Sequence, residues 1–138
     1  MREAVPAPVR RLAAPLGVAA LLAAAAALVA AVDPHEPGHY PGCPLLRWTG
    51  VFCPGCGGLR GLHALLHGDP AGALRANALA VAGYAAFLPL WAVWCVRAAR
   101  HGGGMPVGTL TRHRWAVAAL VLAFTVVRNL PCGAFLAP

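Results

Sequence analysis

The chain has 138 residues, of which 59% are hydrophobic and 11% charged. Soluble domains carry roughly 25% charged residues, so polar material is too scarce to clothe a water-facing globule, and a soluble enzyme or a disordered tail is excluded. Eleven basic residues face four acidic ones for a net charge of +7; all eleven are Arg, and they flank apolar runs rather than gather beside aromatics, which fits membrane topology and argues against nucleic acid.

The first element is an unbroken apolar run from Leu12 to Val32, about 31 Å long at ~1.5 Å per residue, enough to cross a hydrocarbon core. The same stretch behind Arg10 and Arg11 also fits a cleaved signal, with Val29 and Ala31 at the small-residue positions. It is longer than the apolar core of an ordinary signal, so an uncleaved helix over 12–32 is the preferred reading. Both readings put the following segment outside.

That segment, 33–69, holds Cys43 and the run Cys53-Pro54-Gly55-Cys56. Pro and Gly dominate as far as Gly55 and predict turns. From Gly57 to His67 the period changes: Leu59, Leu62, Leu65 and Leu66 gather on one face, with Arg60, His63 and His67 opposite. This predicts a short amphipathic helix, too short to span, lying at the outer interface or re-entering the membrane. Gly68 ends it, and Asp69-Pro70 starts the next helix with Asp as N-cap and Pro at the first helical position.

The second crossing helix is expected over 70–97, its apolar run from Leu74 to Val96 interrupted by Arg75 and Asn77, with a kink at Pro89. A basic loop over 98–111 follows. The third crossing helix is expected over 112–130, about 28 Å long, with Thr111 as its N-cap and an outward tail over 131–138. Arg2, Arg10 and Arg11 mark the N-terminus, and Arg97, Arg100, Arg112 and Arg114 surround the second loop; segment 33–69 has only Arg47 and Arg60 against Asp33, Glu36 and Asp69. The positive-inside rule therefore places the N-terminus and the 98–111 loop in the cytoplasm, and the Cys-rich loop and C-terminus outside. The expected fold is one all-α domain with three transmembrane helices in a cell (inner) membrane.

The thiols support three chemistries, all open at this level. Cys53-Pro54-Gly55-Cys56 before a helix is an arrangement that lowers a thiol pKa and supports disulfide exchange, with Cys53 as nucleophile, Cys56 as resolving thiol and Arg60 steadying the thiolate. No alternating strand pattern of the usual redox scaffold accompanies it. The same spacing is half of a zinc site, with Cys43 as third ligand and His63, His67 or Cys132 as further donors. In an oxidising compartment a structural disulfide serves equally well. Cys95 reads as a small packing residue within the second helix. A polar cluster of Arg60, His63, Asp69, Asn77 and Arg128 belongs to the same outer level: Arg128 either snorkels, or turns inward to hold Asp69 or to join Arg60 and Arg75 in an anion site. Asn77 either packs or hydrogen-bonds across helices.

Cys43-Pro44, Thr49-Gly50, Cys53-Pro54-x-Cys56-Gly57-x-x-Arg60, His63, Leu66, Gly68, Ala73 and Asn77, with the ending Arg128-Asn129-Leu130-Pro131, resemble a bacterial membrane family known only as a domain of unknown function, family 2752. The resemblance implies a small helical inner-membrane protein with polar residues clustered on one side, and brings no activity, cofactor or partner. The expected function is a binding or scaffold module whose outward loop is pinned by a disulfide or a metal, zinc in the first place. Lipid and another membrane protein, or a second copy, are its expected partners. A membrane thiol–disulfide oxidoreductase and an anion-site or transport-associated protein are the alternatives. No nucleotide loop or Ser/His/Asp arrangement is present.

Overall fold

The computed structural model describes residues 7–101 and 103–137; Arg2, one of the arginines that mark the N-terminus, lies outside the described residues. Six α-helices run in order: α1 (Ala7–Ala31), α2 (Pro44–Thr49), α3 (Gly58–Leu66), α4 (Pro70–His101), α5 (Gly108–Arg112) and α6 (Arg114–Arg128), followed by a 3-10 helix, Pro131–Leu136. Among the described residues there is no strand.

Two stretches, Arg10–Ala31 and Pro70–His101, are long and apolar enough to cross a membrane, not the three expected. The third helix of 112–130 is shorter: α6 spans Arg114–Arg128, about 22 Å. It is divided from α5 at His113, whose backbone leaves the helical region (φ −103°, ψ 21°). Thr111 does not cap α6; it lies within α5 and its hydroxyl donates to Gly108 O at 2.9 Å. None of the most apolar stretch of α4 is buried in the protein, and Leu88, Val93 and Val96 stand exposed on it. Uncovered apolar surface on this scale is foreign to a water-exposed monomer.

α1 and α4 pack together, and Trp91 Nε1 donates to the carbonyl of Pro15 at 3.0 Å, joining them near one end. At the other end α3 lies across both. Its Gly61 allows the closest approach: a Cβ there would stand 3.2 Å from Ala73 O of α4. The Tyr84 hydroxyl donates to Gly58 O at 3.1 Å, and His63 Nδ1 donates to Val29 O of α1 at 2.7 Å.

The Cys-rich loop contains a helical turn where only turns were expected. Pro44 at the first helical position pre-sets the backbone of α2, and Gly50 closes it in the left-handed region at φ 72°, its N–H returning to Leu46 O. α4 opens as its sequence suggests, with Asp69 Oδ1 accepting the Gly72 N–H at 2.8 Å. Its break falls at Asn77 (φ −166°, ψ 95°), while the backbone at Pro89 stays helical. Asn77 in effect ends one short helix and caps the long one: its Oδ1 accepts the Ala80 N–H three residues on, at 2.9 Å.

Candidate functional site

The Cys53-Pro54-Gly55-Cys56 segment is a tight turn whose Cys56 N–H returns to Cys53 O at 3.1 Å. The turn brings the two sulfurs to 3.0 Å, and the Cys53 N–H points at Cys56 Sγ at 3.2 Å. Cys43, just before α2, arrives from ten residues upstream with its Sγ 3.4 Å from that of Cys53. All three sulfurs lie within 4.8 Å of one another.

Their proton affinities are pulled apart. The backbone amide of Leu46, then the Cys53 and Cys56 thiols, lower the Cys43 pKa to about 7. Burial, then the neighbouring Cys53 and Cys43 thiols, push Cys56 up to about 12. The half-buried Cys43 thus ionises well before the buried Cys56.

Three residues hold the turn from behind. Asn77, 0% exposed, donates from Nδ2 to Pro54 O at 2.8 Å and to Cys56 O at 2.9 Å. Arg128, 1% exposed, donates from Nη1 to Cys53 O at 3.0 Å and from Nη2 to Cys56 O at 3.2 Å. Its guanidinium lies near the ring faces of Phe124 and Phe52, at 5.0 and 5.7 Å, and its Nε has no hydrogen-bond partner. Asn129 frames Phe52 on both sides, accepting its N–H at 2.8 Å and donating to its carbonyl at 2.9 Å. The sequence offers Asn129 only as part of the Arg128-Asn129-Leu130-Pro131 ending and gives it no role; the signal available is its place beside Arg128 at the end of an apolar helix.

Among the described residues no carboxylate pairs with Arg128. Asp69, one of the alternatives for its partner, is occupied at the start of α4. Arg60 lies elsewhere, its Nε 3.5 Å from Pro34 O, and Arg75 is exposed, so the three arginines form no anion site. His63 is held to Val29 O, and His67 to His63 O at 2.8 Å. Cys132 is exposed on the 3-10 helix and outside the triad. Of the residues picked out in the sequence, then, Cys43, Cys53, Cys56, Asn77 and Arg128 come together; Arg60 stands at the edge, and His63 and Asp69 serve the packing and capping of helices.

The sulfurs form part of the wall of a cavity of about 570 Å³ between residues 34–46 and the start of α3, which His35, Glu36, Tyr40 and Arg60 also line. His35 is turned away to Asp33, its Nδ1 2.7 Å from Oδ1. The Cys triad, a clamp of two amides and a guanidinium, and the cavity beside them define a helical protein with a thiol-centred loop. Residues 43–91 match the family described as "Protein of unknown function (DUF2752)", so the matched part holds all three clustered cysteines, Arg60 and Asn77. No curated protein and no solved structure matches the chain.

Proposed function

We propose that the chain is a small membrane module in which Cys43, Cys53 and Cys56 hold a metal ion as thiolates, zinc by ligand chemistry, so that the outward loop becomes a rigid docking feature for another membrane protein or a second copy. The observation that carries this reading is Arg128. A guanidinium removed from water needs compensating charge, and among the described residues no carboxylate pairs with it. Thiolates on the turn it grips supply that charge; a neutral disulfide or neutral thiols do not.

The donor set fits. A tetrahedral zinc with bonds of about 2.3 Å keeps its sulfurs about 3.8 Å apart, so the 3.0 and 3.4 Å separations open by less than about 1 Å. The Cys53 N–H on Cys56 Sγ is a ready donor to a thiolate. Asn77 and Arg128 play the part of outer partners that orient ligands through the backbone. A disulfide would pair two sulfurs and leave the third over.

For topology, the arginine distribution supports a cytoplasmic N-terminus and an external Cys loop, with α1 and α4 as full crossings, α5–α6 as a third and α3 as the interfacial or re-entrant piece. A second reading, a membrane thiol–disulfide oxidoreductase with Cys53 as nucleophile and Cys56 as resolving thiol, has in its favour the 3.0 Å approach of those sulfurs.

Metal analysis of the detergent-purified protein with thiol counting before and after reduction separates these readings. About one zinc per chain, lost in Cys43→Ser, supports the metal module. No metal, with fewer than the full five thiols free before reduction, refutes it in favour of a disulfide.

A further inference from the structure

The protein supplies three donors where tetrahedral zinc takes four. No fourth donor joins the cluster among the described residues. The nearby histidines are turned to other acceptors: His35 to Asp33, His63 to Val29 and His67 to its own helix backbone. What the sulfurs do face is space. The cavity of about 570 Å³ lies in the ~300–1,000 Å³ range of small-molecule sites and is far larger than one water needs.

Arg60 lines that cavity, half-buried, its one hydrogen bond the long contact from Nε to Pro34 O. Among the described residues no carboxylate pairs with it. A charge count then becomes informative. A divalent ion with Arg128 behind and Arg60 in front brings four positive charges to the site, against three from the thiolates. One monoanion restores balance.

Resting on the metal reading above, we infer that the fourth ligand of the Cys43–Cys53–Cys56 centre is a small exogenous monoanion, a low-molecular-weight thiolate, admitted through the cavity and steadied by Arg60. Thiolate is favoured over carboxylate because a sulfur-rich zinc centre prefers soft donors. Glu36 is the chain's own competitor on the cavity wall; its carboxylate lies 3.5 Å from His39 Nδ1 and points to that exposed pair.

The test uses the full chain in detergent with cobalt(II) in place of zinc, titrated with 2-mercaptoethanol and, separately, azide. Each should shift the visible cobalt bands saturably. The thiol should raise the sulfur-to-cobalt charge-transfer absorption by about one third, as three thiolates become four. Arg60→Gln should leave the cobalt content and the starting spectrum unchanged while weakening both probes about tenfold, and Arg60→Lys should recover part of the loss. A spectrum that neither probe moves overturns the inference, whether Glu36→Gln then alters it (the chain closes its own site) or not. Equal affinity in Arg60→Gln overturns the role of Arg60. Absence of any sulfur-to-cobalt absorption overturns the metal reading itself and is thus distinguishable from the other outcomes.

Discussion

Asn77→Ala removes one amide that makes three bonds. Two are donated to the cysteine turn, at Pro54 O and Cys56 O, and one caps the long part of α4 at Ala80 N–H. Interhelical hydrogen bonds in membrane proteins average about 0.6 kcal/mol, and buried ones in soluble proteins about 1 kcal/mol. The two donations together therefore contribute about 1–2 kcal/mol, and the cap adds about 1 kcal/mol. Cys56 O keeps its bond from Arg128, so the newly orphaned acceptor is Pro54 O. The expected loss is about 2–3 kcal/mol in reversible unfolding in mixed micelles. Asn77→Ser keeps a capping oxygen and loses the donors, so it should lose about 1 kcal/mol less. Zinc affinity, measured by chelator competition, should fall about 10–100-fold in both variants, since both free the turn. Unchanged zinc affinity in Asn77→Ser, beside a measurable loss of stability in Asn77→Ala, would refute the idea that the amide orients the sulfurs and reduce it to a helix cap.

Arg128→Lys keeps a charge but cannot bridge Cys53 O and Cys56 O with a planar fork, so zinc affinity should drop about tenfold; Arg128→Leu should drop it further, and equal retention by both would sink the charge argument. In metal-free, reduced protein Cys43 should alkylate with a rate that rises through pH about 7, because its lowered pKa puts the reactive thiolate above that point, whereas Cys56, raised to about 12, should stay protonated and slow at pH 8; mass-spectrometric mapping reads both. Added zinc should protect all three. Gly61→Val should push α3 off α4, since a Cβ there already meets Ala73 O at 3.2 Å, at a cost of about 1–3 kcal/mol by thermal unfolding, while Gly42→Ala, with open space around it and an ordinary backbone, should cost less.

The long apolar runs and the amphipathic spacing of α3 were legible because each repeats a simple physical requirement many times over. α2 was not, although Pro44 and Gly50 bracket it, because six residues offer no period and Pro and Gly read first as turn formers. The break at Asn77 was hidden for a related reason. One amide within an apolar run looks the same whether it packs, reaches across helices or replaces a helical residue, and the choice depends on carbonyls more than twenty positions earlier. The gathering of Cys43 with Cys53 and Cys56 could be suggested by ligand counting. The grip of Arg128 on the turn could not, because backbone carbonyls leave no mark in a sequence and Asp69 was the visible anion. Three crossings followed from the three apolar runs, but the backbone leaves the helical region at His113, which divides the last run and leaves α6 short.

Among the described residues, the side-chain bonds from the end of α6 to other elements run to Phe52, Cys53 and Cys56. α6 is therefore moored at its C-terminal tip, by the segment that carries the sulfurs. Whatever loosens that turn tugs on the mooring, at one end of a rod about 22 Å long. Chemistry at the thiol-bearing loop thereby gains a lever arm that reaches the far end of α6.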